Sequence, residues 1–91
     1  MIIQYHPRFL DKLKSVNVRI RKSFKEKIKL FRKDPDNAYL NNHELKEEYA
    51  GFRSIDITND YRAIYKEIVT KKDLVVYFIL LGTHGELYGE K

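Results

Sequence analysis

The 91 residues include no cysteine and no tryptophan, only two prolines and four glycines, and no apolar run longer than eight residues. Without cysteine, neither a disulfide framework nor a thiolate zinc site can form, which fits a reducing cytoplasm. The longest apolar run falls far short of the roughly 18 residues that span a bilayer, and no basic N-terminal region leads into an apolar segment. The expectation is a soluble, cytoplasmic protein without a membrane partner. Scarce Gly and Pro, with 43% hydrophobic residues, describe a packed domain rather than a disordered chain. A chain this short forms one domain, expected over 1–91, whose thin core buries roughly 60 to 65% of the unfolded surface.

What is present in excess is basic charge, and it is unevenly placed. The net charge is +5, yet residues 1–45 carry 11 Lys/Arg against 5 Asp/Glu while residues 46–91 carry 7 against 8. Such asymmetry points to a polyanion or an acidic protein partner; the alternative is a solvated helix face.

Taken in order, Ile2 to Tyr5 reads as a short strand stopped by His6-Pro7, with His6 as a turn or cap residue. Phe9, Leu10 and Leu13 give one apolar face to a helix through Lys14. Polar Ser15 to Asn17 supplies caps for the next helix. Ile20, Phe24, Ile28 and Phe31 then recur at spacings of four, four and three, one stripe of an amphipathic helix whose other faces are lysine- and arginine-rich. Asp34-Pro35 ends it, because the residue before proline avoids helical geometry. Residues 34–42 form a polar loop from which Tyr39 and Leu40 are expected to dock on the core. Glu44 to Gly51 is a loop or an extended edge.

Three strands follow, Phe52 to Ile57, Tyr61 to Ile68 and Leu74 to Leu81, joined by turns at Thr58-Asn59-Asp60 and Thr70 to Asp73. Turns this short make an antiparallel meander. The fold class is therefore α+β, an antiparallel sheet with two helices packed on one face in the order β-α-α-β-β-β. The wholly apolar last strand implies that its other face is covered too, by the tail or by a partner.

Chemistry gathers at the end of that strand. Thr83 and Glu86 have the spacing of a capping box, which starts a helical turn at His84. His43 lies after the loop and before the meander, and two imidazoles on separate segments suit a proton-transfer pair. Each histidine read alone is a surface residue. Three scattered histidines without a ligand-like spacing argue against a metal site. Arg53, Arg62 and Lys46 are cations in the otherwise acidic half, and an arginine fork matches a phosphate. The competing reading pairs Arg53 and Arg62 with Asp56 and Asp60 on the sheet. Tyr61 and Tyr88 offer faces on which a base could stack, or serve as core and rim.

HELKEEYAGFRSIDITNDYRAIYKEI followed by VVYFILLGTHGELY resembles the RelE/ParE superfamily of bacterial toxins from type II toxin–antitoxin pairs, most of all its YafQ-like branch of mRNA-cleaving toxins. The specific parts are the H-x-L, G-F-R, D-Y-R-x-I-Y and G-T-H-x-x-L-Y stretches. The resemblance implies a small RelE-like domain with its first strand beside its last. It also implies metal-independent endoribonuclease activity on mRNA, usually on the ribosome, and a neutralising antitoxin. It assigns His43, Asp60 and His84 to the active site, Tyr61 and Tyr88 to aromatic site positions, and Arg62 to the reacting phosphate; Lys46 and Arg53 join them as phosphate cations on chemistry alone. The chain departs from the YafQ-like pattern at Asp56, where the pattern has histidine, and at Tyr61, where it has tryptophan, so Asp56 is not carried over as catalytic.

The expected mechanism is attack by the RNA's own 2′-hydroxyl, with His84 opposite His43 or Asp60 as acid and base, in either order, and no cofactor. An acidic antitoxin suits the net charge of +5. Rival functions are a ParE-like gyrase inhibitor, which needs no acid or base, and a non-catalytic nucleic-acid-binding module.

Overall fold

The computed structural model describes residues 1–89. Strand β1 (Ile2–Tyr5) leads into helices α1 (Pro7–Ser15) and α2 (Val18–Lys33). A single 3-10 turn at Ala38–Leu40 precedes β2 (His43–Glu44), and another at Glu47–Tyr49 precedes β3 (Arg53–Asp56). Strands β4 (Tyr61–Val69) and β5 (Leu74–Thr83) follow, and α3 (His84–Tyr88) closes the fold. No helix of the described residues is long and apolar enough to cross a membrane.

Each helix starts where a side chain meets its free amides. His6 Nδ1 accepts from Arg8 N at 2.9 Å ahead of Pro7, and Asn17 Oδ1 accepts from Ile20 N at 3.1 Å. Basic residues fill the last turn of both long helices, where they meet the negative end of the helix dipole.

The strands form one sheet in the order β1-β5-β4-β3-β2. The meander is antiparallel as expected, and the first strand lies beside the last, but β1 runs parallel to β5, with Ile2 opposite Val75. The two helices between β1 and the meander supply the long crossover that a parallel pair requires. Alternation along β5 is reset by one extra residue: Ile64 faces Leu80 while Tyr65 faces Phe78, so Ile79 is a bulge. Val76 and Phe78 are buried, and the next buried leucine is Leu81 rather than Leu80.

Helices α1 and α2 cover one face of this sheet, where Phe9, Phe24 and Phe31 pack against Ile55, Ala63, Tyr65, Val76, Phe78 and Leu81. The stripe read from α2 is the stripe that is buried. Leu40 docks into this core as expected, whereas Tyr39 does not: it is 79% exposed at the tip of its 3-10 turn. One turn so tight directs only one of two neighbouring side chains inward.

The opposite face of the sheet is half covered, by α3 folding back over β5. The approach is close at Gly82, where an added Cβ would lie 3.2 Å from Glu86 Oε1 and 3.3 Å from the Leu87 side chain. The uncovered half presents the row Ile2–Val75–Ile68, aligned across three strands.

Candidate functional site

The capping box read from the sequence is present. Thr83 Oγ1 accepts from Glu86 N at 3.1 Å and Glu86 Oε1 accepts from Thr83 N at 2.8 Å, so the chain turns sharply out of β5 and places His84 first in α3. His84 N also donates to Asp60 O at 3.1 Å, which ties α3 to the β3–β4 turn. Lys12 Nζ reaches Glu86 Oε2 at 2.8 Å from α1. The Lys12 ammonium, followed by the Thr83 amide, holds the Glu86 carboxyl below the usual carboxylate range.

A second tether comes from the 3-10 turn before β3. Tyr49 Oη donates to Leu87 O at 2.8 Å, and its ring meets Tyr88 edge-on at a centroid distance of 5.5 Å. Tyr88 in turn holds the His84 ring at 4.7 Å. Burial pushes the Tyr88 phenol up, so it remains a neutral donor well above physiological pH. Tyr49→Phe keeps the ring contacts and removes one hydrogen bond. We expect a loss of about 1 kcal/mol in urea unfolding and faster amide exchange through α3, read by NMR; unchanged α3 protection would show that the tether is idle.

Between β2 and α3 lies an open hollow of about 380 Å³, which His43, Arg62, His84 and Tyr88 share with Asn41, Leu45 and Ser54. Its floor is the open face of the sheet. Ser54 faces His43 across the β2–β3 pair, and Asp56 faces Arg62 across the β3–β4 pair. Ser54 is fully buried, and its Oγ finds no hydrogen-bond partner among the described residues.

His43 Nδ1 lies 2.7 Å from the carbonyl oxygen of Asn41, which adopts the left-handed conformation at φ 47°. A carbonyl only accepts, so that nitrogen carries the proton, and in the neutral ring Nε2 is left as an acceptor. Arg62 is fixed on two sides. Its Nη1 donates to Thr58 O at 2.8 Å and Tyr61 O at 3.1 Å, and its Nε lies 3.0 Å from Asp56 Oδ1 without hydrogen-bond alignment.

Four of the eight residues picked from the sequence thus meet at one hollow: His43, Arg62, His84 and Tyr88. The other four lie elsewhere. Asp60 and Tyr61 line a neighbouring hollow with Asn17, Arg19 and Ser23 at the start of α2, and Asp60 is tied to α3 through its backbone carbonyl. Tyr61 packs against the helix-side core. Arg53 points toward the helix side, where Nε donates to Asn42 Oδ1 at 3.0 Å and Nη1 lies 3.5 Å from Glu44. Asn42 also receives the hydroxyl of Tyr65, whose phenol burial pushes up against that bond's pull. Lys46 is exposed beside Leu45 at the rim. Of the two pairings expected on the sheet, Arg62 with Asp56 forms, and Arg53 takes Glu44 instead.

Sequence reasoning missed Asn41, Leu45, Ser54 and Tyr49. The Asn41-Asn42 pair, a common left-handed turn signal, was the available clue to the first. Among the described residues no three His, Asp or Glu side chains gather as metal ligands.

No protein-family model and no curated protein sequence matches the chain. Solved structures do. YafQ from E. coli strain BL21(DE3) superposes with a TM-score of 0.76 at 26% identity, over 96% of this chain and 97% of that one. The YafQ of the E. coli DinJ-YafQ toxin-antitoxin complex gives 0.74 at 26% identity, over 96% of each chain. A YoeB/ParE toxin from Agrobacterium tumefaciens, at 18% identity, shares the fold with a TM-score of 0.74 over 92% of this chain and 99% of that one. Over nearly its whole length, and with the β-α-α-β-β-β order read from its sequence joined by β2 and α3, the chain thus has the fold of the YafQ and YoeB/ParE toxins of toxin–antitoxin systems.

Proposed function

We propose that this toxin is a metal-independent endoribonuclease that cuts mRNA at the hollow between β2 and α3. The observation that carries the reading is the meeting of two imidazoles, one arginine and one tyrosine around a single open space. His43 takes the proton of a 2′-hydroxyl on Nε2, the nitrogen left free by the Asn41 carbonyl. The 2′-oxygen bonds to phosphorus as the P–O5′ bond breaks, and His84 returns a proton to the leaving 5′-oxygen. The products are a 2′,3′-cyclic phosphate and a 5′-hydroxyl. Each proton transfer is worth about 10²- to 10⁴-fold in rate. Arg62 faces the charge that builds on the phosphorane, and Tyr88 stacks a base so that the attack stays in line.

Asp60, offered by the resemblance as an alternative partner for His84, points into the neighbouring hollow; in this reading it shapes the turn rather than moving a proton. The basic face of α2 and the exposed Lys46 suit distant phosphates of mRNA or of a ribosome. The E. coli YafQ is found with DinJ as a toxin-antitoxin complex. By the same logic this chain has a cognate antitoxin, an acidic one on the argument of charge.

Incubation of the purified protein with single-stranded RNA, with and without ribosomes and with a chelator present, tests the reading. Chelator-resistant cuts ending in a 2′,3′-cyclic phosphate or 3′-phosphate are expected. Ends carrying a 3′-hydroxyl would reject the 2′-hydroxyl route, and gyrase-dependent DNA damage without RNA cleavage would favour the ParE-like function.

A further inference from the structure

The geometry points to Asp56 as the positioning residue of the site: we propose that it aims Arg62 at the phosphate while cancelling part of its charge, and so exchanges affinity for rate. The inference rests on the phosphate role of Arg62 proposed above.

Asp56 and Arg62 are directly opposed across the β3–β4 pair, on the face that floors the hollow. Both side chains are mostly buried, at 25% and 20% exposure. Nε lies 3.0 Å from Oδ1, while Nη1 is held by the carbonyl oxygens of Thr58 and Tyr61. Only Nη2 is left over from these contacts. A guanidinium is planar, so fixing two of its three nitrogens fixes the direction of the third. Thr58 and Tyr61 belong to the turn and anchor one corner; Asp56 is the lateral support that stops the plane from pivoting about that corner.

The same carboxylate carries a full negative charge beside the group that must receive an anion. If orientation alone were required, a neutral acceptor would serve. Asp56 Oδ1 is shielded from water and lies 3.0 Å from Nε without an aligned hydrogen bond, so an oxygen at that place props the guanidinium plane by contact whether or not it is charged, and the carboxylate adds its charge to that support. A substrate phosphate therefore meets an arginine that is well aimed and partly neutralised. Binding is weaker than a free arginine would give, and the transition state, where phosphate charge is greatest, gains the most from the fixed donor.

Two variants separate aim from charge. Asp56→Asn keeps an acceptor for Nε and removes the charge; Asp56→Ala removes both. Each is compared with wild type in three measurements: kcat and KM on single-stranded RNA, affinity for a 2′-O-methyl oligonucleotide that the 2′-hydroxyl route cannot cut, and the ¹⁵Nε–¹H NMR signal that disappears in Arg62→Lys. Both variants are expected to bind the uncleavable strand about tenfold more tightly, the scale of a unit charge removed at about 10 Å and an effective dielectric of about 20. Asp56→Asn is expected to retain the Nε signal and kcat to within about threefold, whereas Asp56→Ala broadens the signal and lowers kcat about 10- to 100-fold.

Weaker binding in Asp56→Asn overturns the charge half of the proposal. Equal kcat values in Asp56→Ala and wild type, together with an Nε signal unchanged in Asp56→Ala, overturn the positioning half. Should Asp56→Ala fail to fold, Asp56→Ser, whose hydroxyl is too short to reach Nε, takes its place: loss of the sharp signal and of kcat there supports the aim, and both unchanged overturn it. If the wild type cuts no RNA under any condition, the nuclease reading falls, while the Nε signal and the uncleavable-strand affinity still decide the role of Asp56.

Discussion

Replacing His84 by alanine is expected to abolish RNA cleavage and growth arrest while leaving the domain folded. The side chain is exposed, and its ring meets that of Tyr88. What holds this corner together does not depend on it: the capping box is made by Thr83 and Glu86, and the bond to Asp60 uses the His84 backbone amide. Alanine is the best helix former, so α3 keeps its first residue at no cost. A stability change within about 0.5 kcal/mol is expected, as for surface substitutions in general. The loss of rate should be about 10²- to 10⁴-fold, because the 5′-oxygen would leave unprotonated. Circular dichroism and urea unfolding check the fold, and a cleavage time course with growth after induced expression checks the function. A variant that arrests growth as fast as the wild type removes His84 from the mechanism.

His84 shows how far the sequence reaches. Its position was legible because each step toward it is local: an apolar run that stops, a threonine and a glutamate three apart, and an imidazole between them. The buried stripe of α2 was legible for the same reason. Strand parity could also have sorted the candidates further. Neighbouring residues on a strand point to opposite faces, so Tyr61 and Arg62 cannot both line one hollow, and Arg53, two residues before Ile55, shares the helix side. That alternation selects Arg62 and sets aside Arg53 and Tyr61 from the sequence alone.

Other features depend on pairings between distant segments. His43 reaches the hollow because β2 lies antiparallel to β3 in the register that puts it opposite Ser54, and a two-residue strand announces no register in its sequence. Tyr49 supports α3 across 38 positions of chain. The parallel setting of β1 follows from the two-helix crossover, which was visible, but its hydrogen-bond partner was not derivable from four residues. The bulge at Ile79 moves Leu80 to the face beneath α3, and a continuous apolar run hides such a shift because every alternation looks the same.

Phe78→Ala is expected to cost about 3 to 5 kcal/mol, the largest stability effect of any single substitution considered for this chain. Phe78 is fully buried at the middle of β5, and its ring meets five others: Tyr65 at 5.1 Å, Phe9 at 5.6 Å, Tyr5 at 5.7 Å, Phe31 at 5.8 Å and Phe24 at 6.3 Å. These rings come from β1, α1, α2 and β4, so the cavity would open where every layer of the fold converges. Rings that face one another across a shared centre cannot close the space by small shifts, which places the cost at the upper end of the range. A domain of this size has about 5 to 15 kcal/mol in total and belongs toward the low end, so the variant should unfold at least 15 °C lower and be partly unfolded in cells. Phe78→Leu fills most of the volume and should lose no more than about 1.5 kcal/mol. Urea midpoints of the two variants and wild type provide the check; a loss below about 1 kcal/mol for alanine would mean that the aromatic cluster is not the keystone of the sheet. Both Phe78→Ala and His84→Ala would silence the toxin, but for opposite reasons. β5 carries Gly82, Thr83 and the start of α3 to the hollow, so Phe78→Ala removes the site by removing the strand that presents it, with soluble folded protein lost in proportion. His84→Ala leaves the same hollow standing without its proton.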